Sequence, residues 1–345
     1  HLTPTPLGRI GWVVLSLEGL WRGIAVIYVL NDELAGSIVG ILKSLGIATV
    51  ALKYSLEHLR ASWECYDALI MVMPASAAIR LLCPLIKDKF SDKPVVVVRE
   101  DGKYVVPILG AHWGANDLAR ALSERLHAEP VITTTSESLG VTSIEELARR
   151  LITKIVNPEL LARANAELLR GGCISVIGID SLPGWLKGDY RLSGECRYRI
   201  VITDEEPQRE FSDGGSIYLR KLRLSIGVGL RRGVNSALVR EAILETLRRL
   251  GVGIDRVDVI VSVDESVRKV AEDLGVRFLL IPREVIKELK PANECLTPPS
   301  DTLLKLGFAG VAEPLALIAG GPMAKLIMRK IAYANSVTIA VAAHE

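Results

Sequence analysis

Short aliphatic runs alternate with amphipathic stretches from residue 24 onward, and this alternation constrains the fold more than anything else in the chain. Ile24-Ala25-Val26-Ile27-Tyr28-Val29 carries no polar residue on either face, the pattern of a strand covered on both sides. Asn31 or Asp32 then offers a helix N-cap, and the helix should run to Leu45 and stop at Gly46. Further strands are expected at 47–52, 68–73 and Val95-Val96-Val97-Val98, with a helix around 77–86. Asp101-Gly102 is a tight-turn signal that would pair 95–99 with 104–109 as a hairpin. A helix from about residue 116 to 126 leads to a strand at 131–134. Strands joined by helical crossovers predict an α/β domain at 22–150, mostly parallel and Rossmann-like, with three layers.

Beyond it, 158–170 reads as a helix ending at Gly171-Gly172, and 173–179 and 198–203 are strand-like. Loops rich in Gly, Asp and Ser separate them, so 151–221 is expected to be a small, irregular connecting region. A second α/β domain is predicted over 222–345. It would hold strands at 224–228, 257–263, 277–281 and 337–342, and a long helix capped by Asn235. That helix should turn Leu238, Ala242, Leu247 and Leu250 inward.

With 49% hydrophobic and 24% charged residues the composition is that of a globular protein. A net charge of +2 gives no global attraction for nucleic acid. No apolar run is long enough for a membrane span, because Glu18, Arg22 and Arg80 interrupt the candidates. Cys65, Cys83, Cys173, Cys196 and Cys295 are scattered with no C-x-x-C pair, which predicts free thiols in a reducing, cytoplasmic setting. The single glutamine, Gln208, among many Arg and Glu points to a thermophilic source.

Ligands of open α/β sheets gather at the carboxyl ends of strands, and three segments are expected at that address. In Gly110-Ala111-His112-Trp113-Gly114-Ala115-Asn116, small residues allow close backbone approach and the following helix start can hold an oxyanion. His112 could activate water near neutral pH; the alternative is a structural histidine beside a glycine turn. The hydroxyls of Thr133 and Thr134 could bind carboxylates, or simply reflect β-propensity and capping. Gly227-Val228-Gly229-Leu230-Arg231-Arg232-Gly233 lacks G-x-G-x-x-G spacing, yet Arg231 and Arg232 suit carboxylates or phosphates; a solvated loop is the alternative. Glu313 is a lone carboxylate in apolar surroundings, fitted either for acid–base work or for capping. There is no P-loop, nucleophile elbow or H-E-x-x-H motif.

In this order, the segments resemble the cobalamin biosynthesis protein G family, the cobalt-precorrin-5A hydrolases. The likeness runs through Ile79-Arg80, Asp101-Gly102, the His112 turn and Pro130-Val131-Ile132-Thr133-Thr134. It resumes in 227–233, Ser262-Val263-Asp264, Gly310-Val311-Ala312-Glu313 and Val337-Thr338-Ile339-Ala340. The chain departs from the family pattern in lacking one glycine before Ala115 and in carrying Leu230 where a cysteine is usual. The resemblance implies opening of the δ-lactone of cobalt-precorrin-5A by water, with release of acetaldehyde, to give cobalt-precorrin-5B. His112 or Glu313 would be the general base, and the N–H groups around Gly114, Ala115 and Asn116 would hold the oxyanion. Arg80, Arg231 and Arg232 would clamp the carboxylates that rim the macrocycle, with Thr133, Thr134, Gly229 and Asp264 lining the site. Cobalt would arrive within the substrate, and the protein would hold no cofactor or metal of its own. Expected partners are a cobalt-corrinoid, a second copy of the chain or other enzymes of the pathway, with no nucleic acid and no membrane. Two other readings remain open here: a non-catalytic tetrapyrrole carrier or chaperone, and a small-anion or nucleotide binder built on 227–233.

Overall fold

The computed structural model describes residues 19–88, 91–133, 141–205, 214–288, 295–298 and 310–345, without the side chain of His112. The chain divides into two compact units: the N-terminal stretch to Thr133 together with Leu224–Glu345, and the intervening Thr134–Arg223.

The N-terminal sheet has six strands: β1 (Ile24–Tyr28), β2 (Thr49–Lys53), β3 (Ala68–Val72), β4 (Val95–Val98), β5 (Tyr104–Leu109) and β6 (Glu129–Pro130). Their order is β2-β1-β3-β4-β5-β6, parallel through β4 and reversed at β5. Helices α1 (Asp32–Ser44) and α4 (Ala115–Leu126) cover one face, and α2 (Leu56–Cys65) and α3 (Ala75–Leu82) the other. The two-residue period of β1 sorts its side chains between them. Ile24 and Val26 pack with Ile38 and Leu42 of α1, while Ala25 and Ile27 pack with Leu59 of α2 and Leu82 of α3. This is the expected three-layer arrangement. The Asn31 side chain accepts from Leu34 N at 2.8 Å and caps α1. The final strand is paired at Glu129–Pro130, two residues before the segment read as a strand, although Val131 N still donates to Val105 O at 2.9 Å.

The intervening unit is more regular than its loop-rich composition suggests. It holds β7 (Thr153–Ile155), β8 (Ile174–Ile177), β9 (Tyr190–Arg191), β10 (Tyr198–Thr203) and β11 (Ser216–Lys221), ordered β7-β11-β10-β8-β9. Helices α5 (Ile144–Arg150) and α6 (Leu161–Leu169) share a core with these strands, including Ile144, Leu147, Leu168, Ile174, Ile200 and Leu219. The irregularity lies in the long connections, and the core is supplied mainly by β8, β10 and β11, each of which turns two aliphatic residues inward, with Ile155 and Tyr190 added from β7 and β9.

The C-terminal sheet is ordered β14-β13-β12-β16-β15, from β12 (Arg223–Leu230), β13 (Val257–Ser262), β14 (Arg277–Leu280), β15 (Lys325–Tyr333) and β16 (Val337–His344). Strands β12, β13 and β14 are parallel, and β15 and β16 form a hairpin turned by Ala334 and Asn335 at positive φ. Its helices are α7 (Ser236–Leu250), α8 (Val267–Asp273), α9 (Arg283–Glu288) and α10 (Ala312–Gly320). Helix α7 starts where Asn235 caps Ala237 N at 2.9 Å and buries Val239, Ala242, Ile243, Thr246, Leu247 and Leu250. Helix α10 lies so close on β12 that a Cβ at Gly227 would stand 1.9 Å from Ala312 O.

The free-thiol reading of the cysteines is overturned. Cys65 bonds Cys295 and Cys173 bonds Cys196, leaving Cys83 free and exposed. The first pair lies 230 residues apart, so only tertiary folding brings it together. Among the described residues no helix is long and apolar enough to cross a membrane.

Candidate functional site

Because β5 runs against β4, its carboxyl end lies at the amino ends of β3 and β4, and Leu109 sits beside Val95. The expected address at the carboxyl edge of the parallel strands is therefore corrected: the His112 turn occupies the opposite edge. The turn bends at two glycines in the left-handed region, Gly110 (φ 69°) and Gly114 (φ 94°). A Cβ at Gly110 would stand 2.7 Å from both Pro94 N and Pro94 Cα, so no side chain fits there. Between the glycines Ala111–Trp113 makes one 3-10 turn, and Trp113 N and Ala115 N both donate to Gly110 O. Helix α4 follows with no side-chain cap, Ala115 fully buried and Asn116 nearly so. The His112 imidazole lies outside the described residues, as does Thr134.

Thr133 falls on the same edge, because β6 runs parallel to β5, and it is exposed. Arg80 lies toward this edge as well. Helix α3 leaves the carboxyl end of β3 and returns along the sheet, which puts Arg80 in its last turn, exposed.

The C-terminal sheet meets the N-terminal one at this edge. Arg329, in the middle of β15, is 1% exposed, and its guanidinium fans out over backbone from both parts. Nε donates to Arg22 O at 2.6 Å, Nη2 to Cys65 O at 2.9 Å, and Nη1 to Cys295 O at 2.9 Å and Thr297 Oγ1 at 3.2 Å. The guanidinium carbon stands 3.8 Å from the Tyr66 ring centroid. Burial, opposed in part by the Arg329 charge, pushes the Tyr66 hydroxyl above its ordinary range. Arg329 N also donates to Trp21 O at 3.1 Å, so the edge strand β15 is partnered by the chain leading into β1.

Glu313, 3% exposed in the first turn of α10, accepts three hydrogen bonds. Thr297 N donates at 2.7 Å, Thr297 Oγ1 at 2.6 Å and Lys330 N at 3.0 Å. Buried cation and buried anion are thus one threonine hydroxyl apart, since Thr297 Oγ1 accepts from Arg329 and donates to Glu313. With both oxygens engaged, Glu313 anchors the 295–298 segment.

The remaining expected residues gather at the carboxyl ends of β12 and β13. Arg231 and Arg232 are exposed, and Arg231 N donates to Ser336 O at 2.9 Å beside the β15–β16 hairpin. Gly227 and Gly229 belong to β12 itself rather than to a loop. A Cβ at Gly229 would lie 2.6 Å from Thr338 Oγ1, so both glycines make room for neighbouring elements. Asp264 accepts from Ser266 N at 3.0 Å and Ser266 Oγ at 2.7 Å, which opens α8. These bonds hold its carboxyl below the usual range, with help from the Arg283 charge.

The structure therefore groups Arg80, the 110–116 turn and Thr133 on one edge, and Gly229, Arg231, Arg232 and Asp264 on another. Sequence reasoning missed Arg329, Tyr66 and Thr297. The available signal was an arginine set among aliphatics in Leu326-Ile327-Met328-Arg329, where a buried charge demands partners.

Three family profiles match successive stretches of the chain: Cobalamin synthesis G N-terminal over residues 57–137, CbiG-like linker domain over 142–222, and Cobalamin synthesis G C-terminus over 224–342. A crystal structure described as a cobalamin biosynthesis protein G homolog from Sulfolobus solfataricus aligns with a TM-score of 0.80 at 40% identity, covering 95% of this chain and 99% of that one. The Cobalt-precorrin-5A hydrolase of Priestia megaterium is 26% identical over 305 residues, 81% of this chain and 79% of its own length. That of Salmonella typhimurium is 42% identical over 93 residues, 27% of this chain and 26% of its own. Together with the shared three-part order of N-terminal sheet, intervening unit and C-terminal sheet, these matches mean that the chain belongs to the cobalamin synthesis G family.

Proposed function

We propose that the protein hydrolyses the δ-lactone of cobalt-precorrin-5A, releasing acetaldehyde and cobalt-precorrin-5B. The observation that carries this reading is the 110–116 turn: two left-handed glycines deliver a histidine to the uncapped start of α4, at the edge where the C-terminal sheet joins. Lactone opening needs an activated water and a place for the negative charge that develops on the carbonyl oxygen. We assign the first task to His112 and the second to the N–H groups at Gly114 and Asn116, where the helix dipole favours an anion, with Ala115 N held in the turn by Gly110 O. Arg80, with Thr133 and Thr134, would engage carboxylates on one side of the macrocycle, and Arg231 and Arg232 on the other. Glu313, whose two oxygens both accept protein hydrogen bonds, shapes the wall rather than touching the lactone, while Asp264, with Oδ1 bound to Ser266, lines the edge that carries Arg231 and Arg232. Cobalt enters as part of the substrate, and we assign the protein no metal, nucleic-acid or membrane partner. The reaction belongs in the cytoplasm on this reading; the two disulfides and the glutamine-poor composition suit an intracellular protein of a hyperthermophile.

The test is incubation of purified protein with cobalt-precorrin-5A and assay of acetaldehyde. Stoichiometric release that is lost in His112→Ala supports the proposal. Tight corrinoid binding without acetaldehyde would replace it with a carrier role.

A further inference from the structure

We infer that Arg329 is a positioning residue for the 110–116 turn, acting through Tyr66, Lys93 and Pro94; its bearing on catalysis rests on the lactone-opening reading above. The linkage can be followed bond by bond. Arg329 fixes the Cys65–Tyr66 backbone twice, by the Nη2 bond to Cys65 O and by stacking on the Tyr66 ring. Tyr66 O in turn accepts from Lys93 Nζ. The next residue, Pro94, is tied to the start of β3 by Leu69 N donating to Pro94 O at 3.0 Å. Pro94 is the backbone against which Gly110 is pressed, with no room for even a methyl group. Gly110 is the pivot of the turn, and its carbonyl receives Trp113 N at 2.8 Å and Ala115 N at 3.2 Å. Hydrogen bonds carry the linkage from Arg329 to Lys93, the peptide chain carries it to Pro94, and close packing carries it to Gly110, so a shift of Arg329 is transmitted to the turn.

The other end of the same guanidinium holds Cys295 O and Thr297 Oγ1, and through Thr297 it reaches Glu313 at the start of α10. One planar group therefore sets the turn and the C-terminal sheet to a common reference. A lysine could not do so, because a single tetrahedral ammonium cannot serve four acceptors in a plane and stack on an aromatic face.

The readout is the turn itself, followed by 19F NMR of protein labelled with 5-fluorotryptophan. The five tryptophans give one signal each; Trp113 lies in the turn and Trp185 in the intervening unit serves as internal reference. Arg329→Met and Arg329→Lys should both shift or broaden the Trp113 signal, assigned with Trp113→Phe, and leave that of Trp185 unchanged. Turnover should fall about tenfold to a hundredfold while KM changes little, as expected when reacting groups are misplaced by a fraction of an ångström or more. Leu326→Ala, a buried change on the same strand, is the control for lost stability and should leave the Trp113 signal in place. Should the Arg329 variants fail to fold, Lys93→Met cuts the linkage in the N-terminal sheet and should move the same signal. A Trp113 signal unmoved in Arg329→Met or, failing that variant, in Lys93→Met overturns the inference. So does an equal movement in Leu326→Ala. If the wild-type protein opens no lactone, the functional reading falls by itself, and the Trp113 signal still decides the positioning claim.

Discussion

Two glycine-bearing stretches, 110–114 and 227–233, look alike on paper and do different work in the molecule. Gly110 and Gly114 bend the chain at positive φ, and Gly110 also faces backbone too close for a side chain. Gly227 and Gly229 lie in an extended strand, where the missing side chains let helix α10 and Thr338 come in. The first pair shapes the turn that carries His112, to which the proposal above gives the general-base role. The second pair shapes a packing interface, and the arginines that follow it are carried at its rim. Small residues thus mark close backbone approach in both places, by Pro94 at Gly110 and by helix α10 at Gly227.

The contrast predicts a graded set of outcomes. Gly227→Ala should cost most, about 3 kcal/mol, because the methyl meets helix backbone that cannot swing aside. Thermal unfolding should show the loss, with turnover per folded molecule unchanged. Gly110→Ala should cost about 2 kcal/mol from φ strain and the Pro94 contact, and should lower turnover beyond the loss of folded protein. Equal turnover per folded molecule in both variants would erase the distinction drawn here. Arg231→Ala and Arg232→Ala should each change stability by no more than about 0.5 kcal/mol and raise KM for the corrinoid about tenfold. Unchanged KM would reduce the rim to solvated surface.

The smallest effect is one of pH. Asp264 has a carboxyl pKa held below its ordinary value by Ser266, so its contribution to stability is present above the unfolded-state pKa. It should be lost as the pH falls below about 4 and through the lower folded-state value. Asp264→Asn should therefore lower the melting temperature near neutrality and flatten its acid decline. A steeper decline in the variant would contradict the role given to Ser266.

Much of the scaffold was legible because it is written locally. The aliphatic run of β1, the Asn31 cap, the Asp101-Gly102 turn and the Asn235 cap each act within a few residues, and each is found as read. Helix α2 was harder, since Leu56–Cys65 mixes Glu, His, Arg and Ser among its apolar residues. Strand β15 was hidden by Lys325, Arg329 and Lys330. The Asp101-Gly102 hairpin already implied that β5 runs back against β4, yet the consequence for the His112 turn emerges only when β5 is set beside the parallel pair β3 and β4, a relation between strands. The same holds for Arg329, whose partners Arg22, Cys65 and Cys295 are spread along nearly the whole chain. The family resemblance rested on ordered short motifs, and it named the reaction without naming the groups that organise the edge.

The bond between Cys65 and Cys295, across a sequence separation of 230, closes the chain into a covalent ring, and the intervening unit is wholly contained in that ring. A protease that cuts once in the loops of that unit opens the ring without dividing the molecule. Under denaturing conditions the nicked protein would run as a single species until a reductant is added, then as two fragments. The N-terminal and C-terminal sheets thus stay tethered by a route that does not pass through the peptide chain between them.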